Sequence, residues 1–307
     1  VLVVSFLLLC VAGTAVLRLP VSATQELSWL DAAFTATSAV CVTGLIVVDT
    51  PNALSGFGQF ALLLLIQLGG LGIMSLSAAT VAVLGRRLPI SYERATADII
   101  GAEGLAGIAP AIRLIFKTTF LVEGTGAVLL FVAFMVRGEA AGSAAWRAVF
   151  TSISAFCNAG FALQSDSLVP YAEDPFVLAV VGTVIVSGGL GPLVLLTLWP
   201  GVGPRRRSLQ VRLALWATAI LLVVPALLIA LIEWNHTLAG LGITDRLMNA
   251  AFQSVTLRTA GFNSIDLTQV QPATGTRMLV AMLIGRCPGC TTRGVGTTTI
   301  ALCVALV

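Results

Sequence analysis

Three short segments carry the residues whose types and spacing could do chemistry. The first runs Ser38-Ala39-Val40-Cys41-Val42-Thr43-Gly44-Leu45 and the second Ser154-Ala155-Phe156-Cys157-Asn158-Ala159-Gly160-Phe161. The third runs Leu257-Arg258-Thr259-Ala260-Gly261-Phe262. Each follows a mildly apolar stretch that begins at Phe34, Phe150 or Phe252, and the third is one residue shorter between Phe and Gly. Glycine takes φ > 0 where other residues resist it. Successive carbonyls of residues 41–44, 157–160 and 258–261 can then face one axis and replace the hydration shell of a cation. A short helix ahead of each segment would turn its negative C-terminal end toward that cation. Taken singly, each glycine also fits a tight turn at a helix end; three in register favour the ion site.

Such a site needs scaffolding of a particular kind. Irregular backbone at membrane depth survives only where it is buried in protein or lines a water-filled cavity. The composition supplies that setting: of 307 residues, 57% are hydrophobic and 10% charged, with a mean hydropathy of +1.00. A soluble surface carries about a quarter charged residues, so a soluble globular domain is excluded as a class. The apolar runs Phe60–Leu84, Leu114–Val136, Phe176–Trp199 and Leu213–Ile232 approach or exceed the ~20 residues that cross a hydrocarbon core. The expected fold is an all-α membrane protein, with repeated helix–pore-loop–helix modules set pseudo-symmetrically round a pore. Repeats about a hundred residues apart speak for duplicated membrane modules rather than a solenoid of ~20–50-residue units.

The expected division is residues 1–85 for the first module, 86–110 for a cytoplasmic connector and 111–200 for the second module. A basic cytoplasmic connector, 201–208, then leads to the third module, 209–307. Both ends of the sequence fall inside apolar runs, so the polypeptide is expected to be longer. With the N-terminal run Val1–Val16 counted as the first, Arg86, Arg87, Arg94 and Arg113 lie between the second and third apolar runs with Lys117 at the start of the third, and Arg205, Arg206, Arg207 and Arg212 lie between the fourth and fifth. Short basic loops stay cytoplasmic. The opposite connectors hold Glu26, Asp31, Asp49, Glu139, Asp166, Glu173, Asp174, Glu233, Asp245 and Asp266. An acidic mouth there would concentrate cations; for any one of these acids a solubilising loop role is the better reading, and it is the asymmetry as a whole that favours a cation path.

The residues outside the three segments say less. Glu123 is a carboxylate inside an apolar run, and an ionisable group at that depth is a functional candidate; it could cap a neighbouring broken helix or line a permeation path. Arg258 precedes a glycine of the third segment, where its five donors suit bracing from behind better than contact with a cation. Gly69-Gly70-Leu71-Gly72 and Ser187-Gly188-Gly189-Leu190-Gly191 are accounted for by close helix packing through small residues. Cys287 and Cys290 have the spacing of a zinc or redox pair, but the sequence has no second such pair and a single histidine, His236, against the four ligands a structural zinc needs. Triads and paired carboxylates are missing, so an enzyme is not expected.

The three segments, with Arg258-Thr259-Ala260-Gly261-Phe262-Asn263-Ser264-Ile265-Asp266 and the stretch from Gly285 to Thr299, resemble the Trk/Ktr/HKT superfamily of potassium and sodium transporters. The resemblance implies four modules round one pore in one polypeptide, of which this sequence holds three. It implies selectivity filters at Cys41, Val42, Thr43 and Gly44, at Cys157, Asn158, Ala159 and Gly160, and at Arg258, Thr259, Ala260 and Gly261, with K⁺ as the transported ion at their backbone carbonyls. It further implies an intramembrane gating loop containing Gly285, Pro288, Gly289, Arg293, Gly294 and Gly296. That loop departs from the family pattern: Gly296 replaces a usual Lys, Arg293 a usual Gly, and Cys287 and Cys290 usual serines. Its glycines and proline independently argue against one continuous helix; a broken helix or a packed kink would satisfy them. The implied function is potassium uptake across a plasma membrane, with a homodimeric assembly and a cytosolic nucleotide-binding regulatory ring of the RCK/KTN type as partners. Sodium transport, a non-conducting fragment and a secondary transporter with half-helices at the midplane are the alternatives.

Overall fold

The computed structural model describes residues 2–84, 108–191, 194–195, 209–258 and 260–283, and every regular element named for them is a helix. The helices fall into three successive triplets. In the first, α1 (Leu2–Leu17) is followed by α2 (Trp29–Val40), a single turn α3 (Thr50–Ala53) and α4 (Gly56–Leu84). The second comprises α5 (Ile108–Val136), α6 (Ala141–Cys157) and α7 (Pro175–Leu190). The third comprises α8 (Leu209–Glu233), α9 (Ile243–Thr256) and α10 (Pro272–Leu283). In each triplet the middle helix is amphipathic and the first is apolar; α4 and α7 are apolar as well, while the described part of α10 is amphipathic.

Three stretches, Gly56–Ser75, Ile112–Val136 and Leu215–Glu233, are long and apolar enough to cross a membrane; Val4–Leu17 and Pro175–Leu190 are shorter apolar helices. Their outward residues are apolar too: Leu8, Val11, Val132, Val136 and Leu231 are all more than half exposed. In water such a belt would be an association surface, and in a bilayer it is the lipid-facing side.

The helix starts follow local chemistry. The Ser28 hydroxyl accepts the Asp31 N–H at the head of α2. The Asp174 carboxylate accepts from Phe176 and Val177 N–H at the head of α7, where Pro175 occupies the first turn, a position that needs no donor. Glu233 departs from the expectation of a solvated outer acid. It is fully buried at the end of α8, where it accepts from the Thr237 and Thr274 hydroxyls at 2.9 and 2.6 Å and from Gln271 N–H at 3.2 Å. The carboxylate thereby holds the first turn of α10, whose free N–H groups favour an anion.

The core is shared between neighbouring modules. One buried cluster joins Leu17, Val40, Leu62 and Ile66 of the first module to Phe150, Cys157, Ala159 and Phe161 of the second. Another joins Leu130, Phe134, Phe156 and Val181 of the second module to Phe252, Ala260 and Phe262 of the third. Accordingly α4 packs on α6 and α7 packs on α9, so the last helix of one module seats the middle helix of the next. The Trp146 indole N–H donates to Gln59 Oε1 at 2.9 Å along the first of these contacts.

Candidate ion-selectivity site

The site begins where the middle helices end. At the end of α2, Thr43 N–H donates to Ser38 O at 2.7 Å and Val42 N–H to Ala39 O at 2.9 Å. At the end of α6, Ala159 N–H donates to Ser154 O at 2.8 Å and Asn158 N–H to Ala155 O at 3.0 Å. This nested pair of bonds is the Schellman termination, which requires a left-handed residue just past the helix. Val42 (φ 55°) and Asn158 (φ 58°) are those residues, and Gly44 (φ 75°) and Gly160 (φ 71°) follow two positions later. In the third segment Ala260 N–H donates to Thr256 O at 3.0 Å, a turn one residue tighter, and Gly261 again has positive φ, 82°. The one-residue deletion visible in the sequence is therefore absorbed in the helix-ending turn.

The three glycines meet. A Cβ on Gly44 would stand 2.6 Å from Ala159 O. One on Gly160 would stand 2.8 Å from Ala260 O and 2.9 Å from Gly261 Cα, and one on Gly261 would stand 3.0 Å from Gly160 Cα. Contacts run from the first segment to the second and from the second to the third, so the backbones converge at one level. The positive φ disfavours a side chain at all three positions, and the space does so most at Gly44 and Gly160.

The carbonyls of the helix ends are approached closely from behind. Gly69 of α4 lies so near Val40 that a Cβ would be 2.1 Å from the Val40 carbonyl oxygen, and Gly188 of α7 lies so near Phe156 that the distance would be 1.8 Å. Val40 and Phe156 occupy the same place in their segments, four residues before the glycine. The glycine-rich stretches of α4 and α7 thus pack on the middle helix of their own module, backbone against backbone.

Serines of the middle helices tie them to the outer helices. Ser152 Oγ donates to Glu123 O at 2.7 Å and Ser254 Oγ to Leu222 O at 2.6 Å. The two serines are equivalent, each two residues after the segment's Phe, and the first module has Ala36 there. In α8 the bond has a local cause. Pro225 cannot donate to Leu221 O four residues back, and the Ser254 hydroxyl lies over that opened turn. Neither serine was singled out from the sequence; their shared offset from Phe150 and Phe252 was the available signal.

Glu123 is 4% exposed and its Oε2 accepts from Gln67 Nε2 at 3.0 Å, while its Oε1 has no hydrogen-bond partner among the described residues. Arg258 is also buried. The connecting loops interlock head to tail: Ser165 Oγ donates to Asp49 Oδ2 at 2.7 Å, and Leu168 N–H donates to Asn263 O at 2.9 Å. Asp174 and Glu139 are paired with Arg137 and Arg147. Asp266 accepts from the Thr268 hydroxyl and N–H and from Gln269, bonds that hold its carboxyl below the usual range, so it stays charged in its exposed loop. Thr259, the loop residues Gly285, Pro288, Gly289, Arg293, Gly294 and Gly296, Cys287 and Cys290, and the basic positions Arg86, Arg87, Arg94 and Arg205–Arg207 lie outside the described residues.

Residues 1–307 match the family described as TrkH, cation transport protein. The chain belongs to this family. It is 35% identical over 301 residues to the Ktr system potassium uptake protein B of Bacillus subtilis, covering 97% of this chain and 67% of that protein. It is likewise 35% identical over 301 residues to the potassium/sodium uptake protein NtpJ of Enterococcus hirae, covering 97% and 66%. The crystal structure of the potassium transporter TrkH from Vibrio parahaemolyticus superposes with a TM-score of 0.72 at 22% identity, over 98% of this chain and 59% of that one, a likeness of fold. The chain therefore spans about two thirds of the length of the curated relatives it matches. Membership of a cation transporter family fits an all-helical membrane fold and excludes an enzyme reading.

Proposed function

We propose that the full-length polypeptide takes up K⁺ across the plasma membrane, as a multi-pass protein whose filter is built in part from residues 41–44, 157–160 and 258–261. The observation that carries this reading is the contact of Gly44 with the second segment and of Gly160 with Gly261, three positive-φ residues just past the ends of three equivalent helices. Alternating left-handed residues at 42 and 44, and at 158 and 160, turn peptide groups in the manner that lets carbonyls line an ion path. Middle helices ending at these segments aim their negative ends at the cation. K⁺ is the cargo of the relatives named above, and one of them is named for sodium as well. A pore loop at Gly285–Gly296 that obstructs the path, a homodimer and a cytosolic nucleotide-binding ring complete the proposal.

Gly44→Ser tests it. A Cβ 2.6 Å from Ala159 O on a backbone at φ 75° must move the first segment away from the second. In vesicles containing the full-length protein, the ratio of Rb⁺ to Na⁺ uptake should fall about tenfold or more, the weight of ~1.4 kcal/mol. An unchanged ratio at equal protein level would make Gly44 a turn residue and nothing more.

A further inference from the structure

Behind the second segment lies a buried polar chain that the filter reading does not use. Gln67 of α4 donates from Nε2 to Glu123 Oε2 of α5 at 3.0 Å, and its Oε1 accepts the Cys157 thiol at 3.7 Å. Cys157 is fully buried and is the first residue of the segment 157–160. Gln67 and Gly70 are three residues apart, hence on one face of α4, and a Cβ on Gly70 would stand 2.6 Å from Cys157 Sγ. The two residues form a seat for the sulfur: Gly70 leaves the space and Gln67 supplies the bond. Glu123 in turn fixes the Gln67 amide, while Ser152 Oγ pins the Glu123 backbone.

We infer that Gln67 and Glu123 are positioning residues for ion discrimination, seating the Cys157 thiol so that the second filter segment keeps its place against the first and third. The chain joins three helices of two modules at the point where the segment leaves α6. A buried carboxyl that an apolar side chain could replace adds little to stability, whereas the directed bonds that Gln67 makes to Cys157 and Glu123 hold one arrangement of the three side chains.

This inference rests on the filter reading, so the test separates the two. Full-length wild type, Gly160→Ser, Gln67→Leu, Glu123→Gln, Cys157→Ala and the double variant Gln67→Leu/Cys157→Ala are compared in vesicles for Rb⁺ against Na⁺ uptake at matched protein level. Gly160→Ser reports on the filter alone. With the filter so established, Gln67→Leu and Cys157→Ala should each lower the ratio about fivefold, the weight of one ordinary hydrogen bond. The double variant should be no worse than either single one, since both cut the same contact. Glu123→Leu, added to the series, takes the acceptor from Gln67 and should lower the ratio as well, and Glu123→Gln, which keeps an acceptor, should recover part of that loss; a wild-type ratio in Glu123→Leu would remove Glu123 from the positioning role. If Gln67→Leu does not fold, Cys157→Ala reads the contact from its other end. Wild-type ratios in Gln67→Leu or Cys157→Ala alongside an altered Gly160→Ser would overturn the positioning role and leave the filter standing. An unaltered Gly160→Ser would overturn both.

Discussion

The first and second segments have one backbone and two different supports. Both leave a middle helix by the same nested turn, with left-handed residues at 42 and 158 and glycines at 44 and 160. Around that turn the side chains diverge. Ser154 Oγ donates to Phe161 O at 2.7 Å, closing the turn over the glycine, whereas the buried Ser38 Oγ makes no hydrogen bond among the described residues. Val42 packs into an apolar cluster, while Asn158 Nδ2 donates to Phe156 O at 3.3 Å. Cys41 lies beside Cys10 of its own module, while Cys157 is seated by Gln67 of the preceding one. Glycine placement and the helix-ending bonds are common to both, so they define the path; the supports are where the modules differ.

The comparison would break first at its shared features. Gly188→Ala and Gly69→Ala should be the most damaging changes, because a methyl would meet a carbonyl oxygen at 1.8 and 2.1 Å and no side chain can rotate away. Overpacking of this kind costs about 3 kcal/mol or more, and Gly188→Ala should exceed Gly69→Ala. The thermal unfolding midpoint of purified full-length protein in detergent measures it. Equal midpoints for wild type and Gly188→Ala would mean that α7 does not press on Phe156.

The supports come next. Removing the Ser154 hydroxyl leaves Phe161 O buried without its donor, at a cost of about 1–3 kcal/mol. Ser38→Ala removes a hydroxyl that holds no bond among the described residues, so it should be neutral or slightly stabilising. Matched unfolding curves for the two alanine variants would read the difference directly. Equal losses would show that Ser38 has a partner after all and that the two supports are alike.

The shared features were legible in the sequence and the supports were not, for a physical reason. Glycine at a positive-φ position and apolar runs of membrane length constrain residue type locally, so Gly44, Gly160 and Gly261 and the flanking helices could be read from spacing. The side chains that brace them are drawn from elsewhere in the chain. Gln67 and Glu123 are 56 residues apart, and nothing in either neighbourhood identifies the other. Glu233 read as an outer-loop acid because its own connector is polar; its burial is decided by Gln271 and Thr274, 38 and 41 residues away. The glycines of α4 and α7 were correctly assigned to close packing, but which surface they meet became visible only with the helix ends in place.

The smallest effect separates the two left-handed residues themselves. A β-branched residue at φ 55° is rare and costs about 1–2 kcal/mol relative to glycine. Val42 is nevertheless 3% exposed, and burying a valine side chain returns about 1.5 kcal/mol or more. The two terms nearly cancel, so Val42→Gly should shift stability by less than about 1 kcal/mol in either direction. Asn158 tolerates φ 58° with little strain, as asparagine generally does, so glycine gains little there and forfeits the amide bond to Phe156 O. Asn158→Gly should therefore be destabilising by about 1 kcal/mol, and the ordering of the two variants in denaturant midpoint is the test. If Val42→Gly proved the costlier change, apolar packing rather than backbone conformation would be what holds the first segment in its turn.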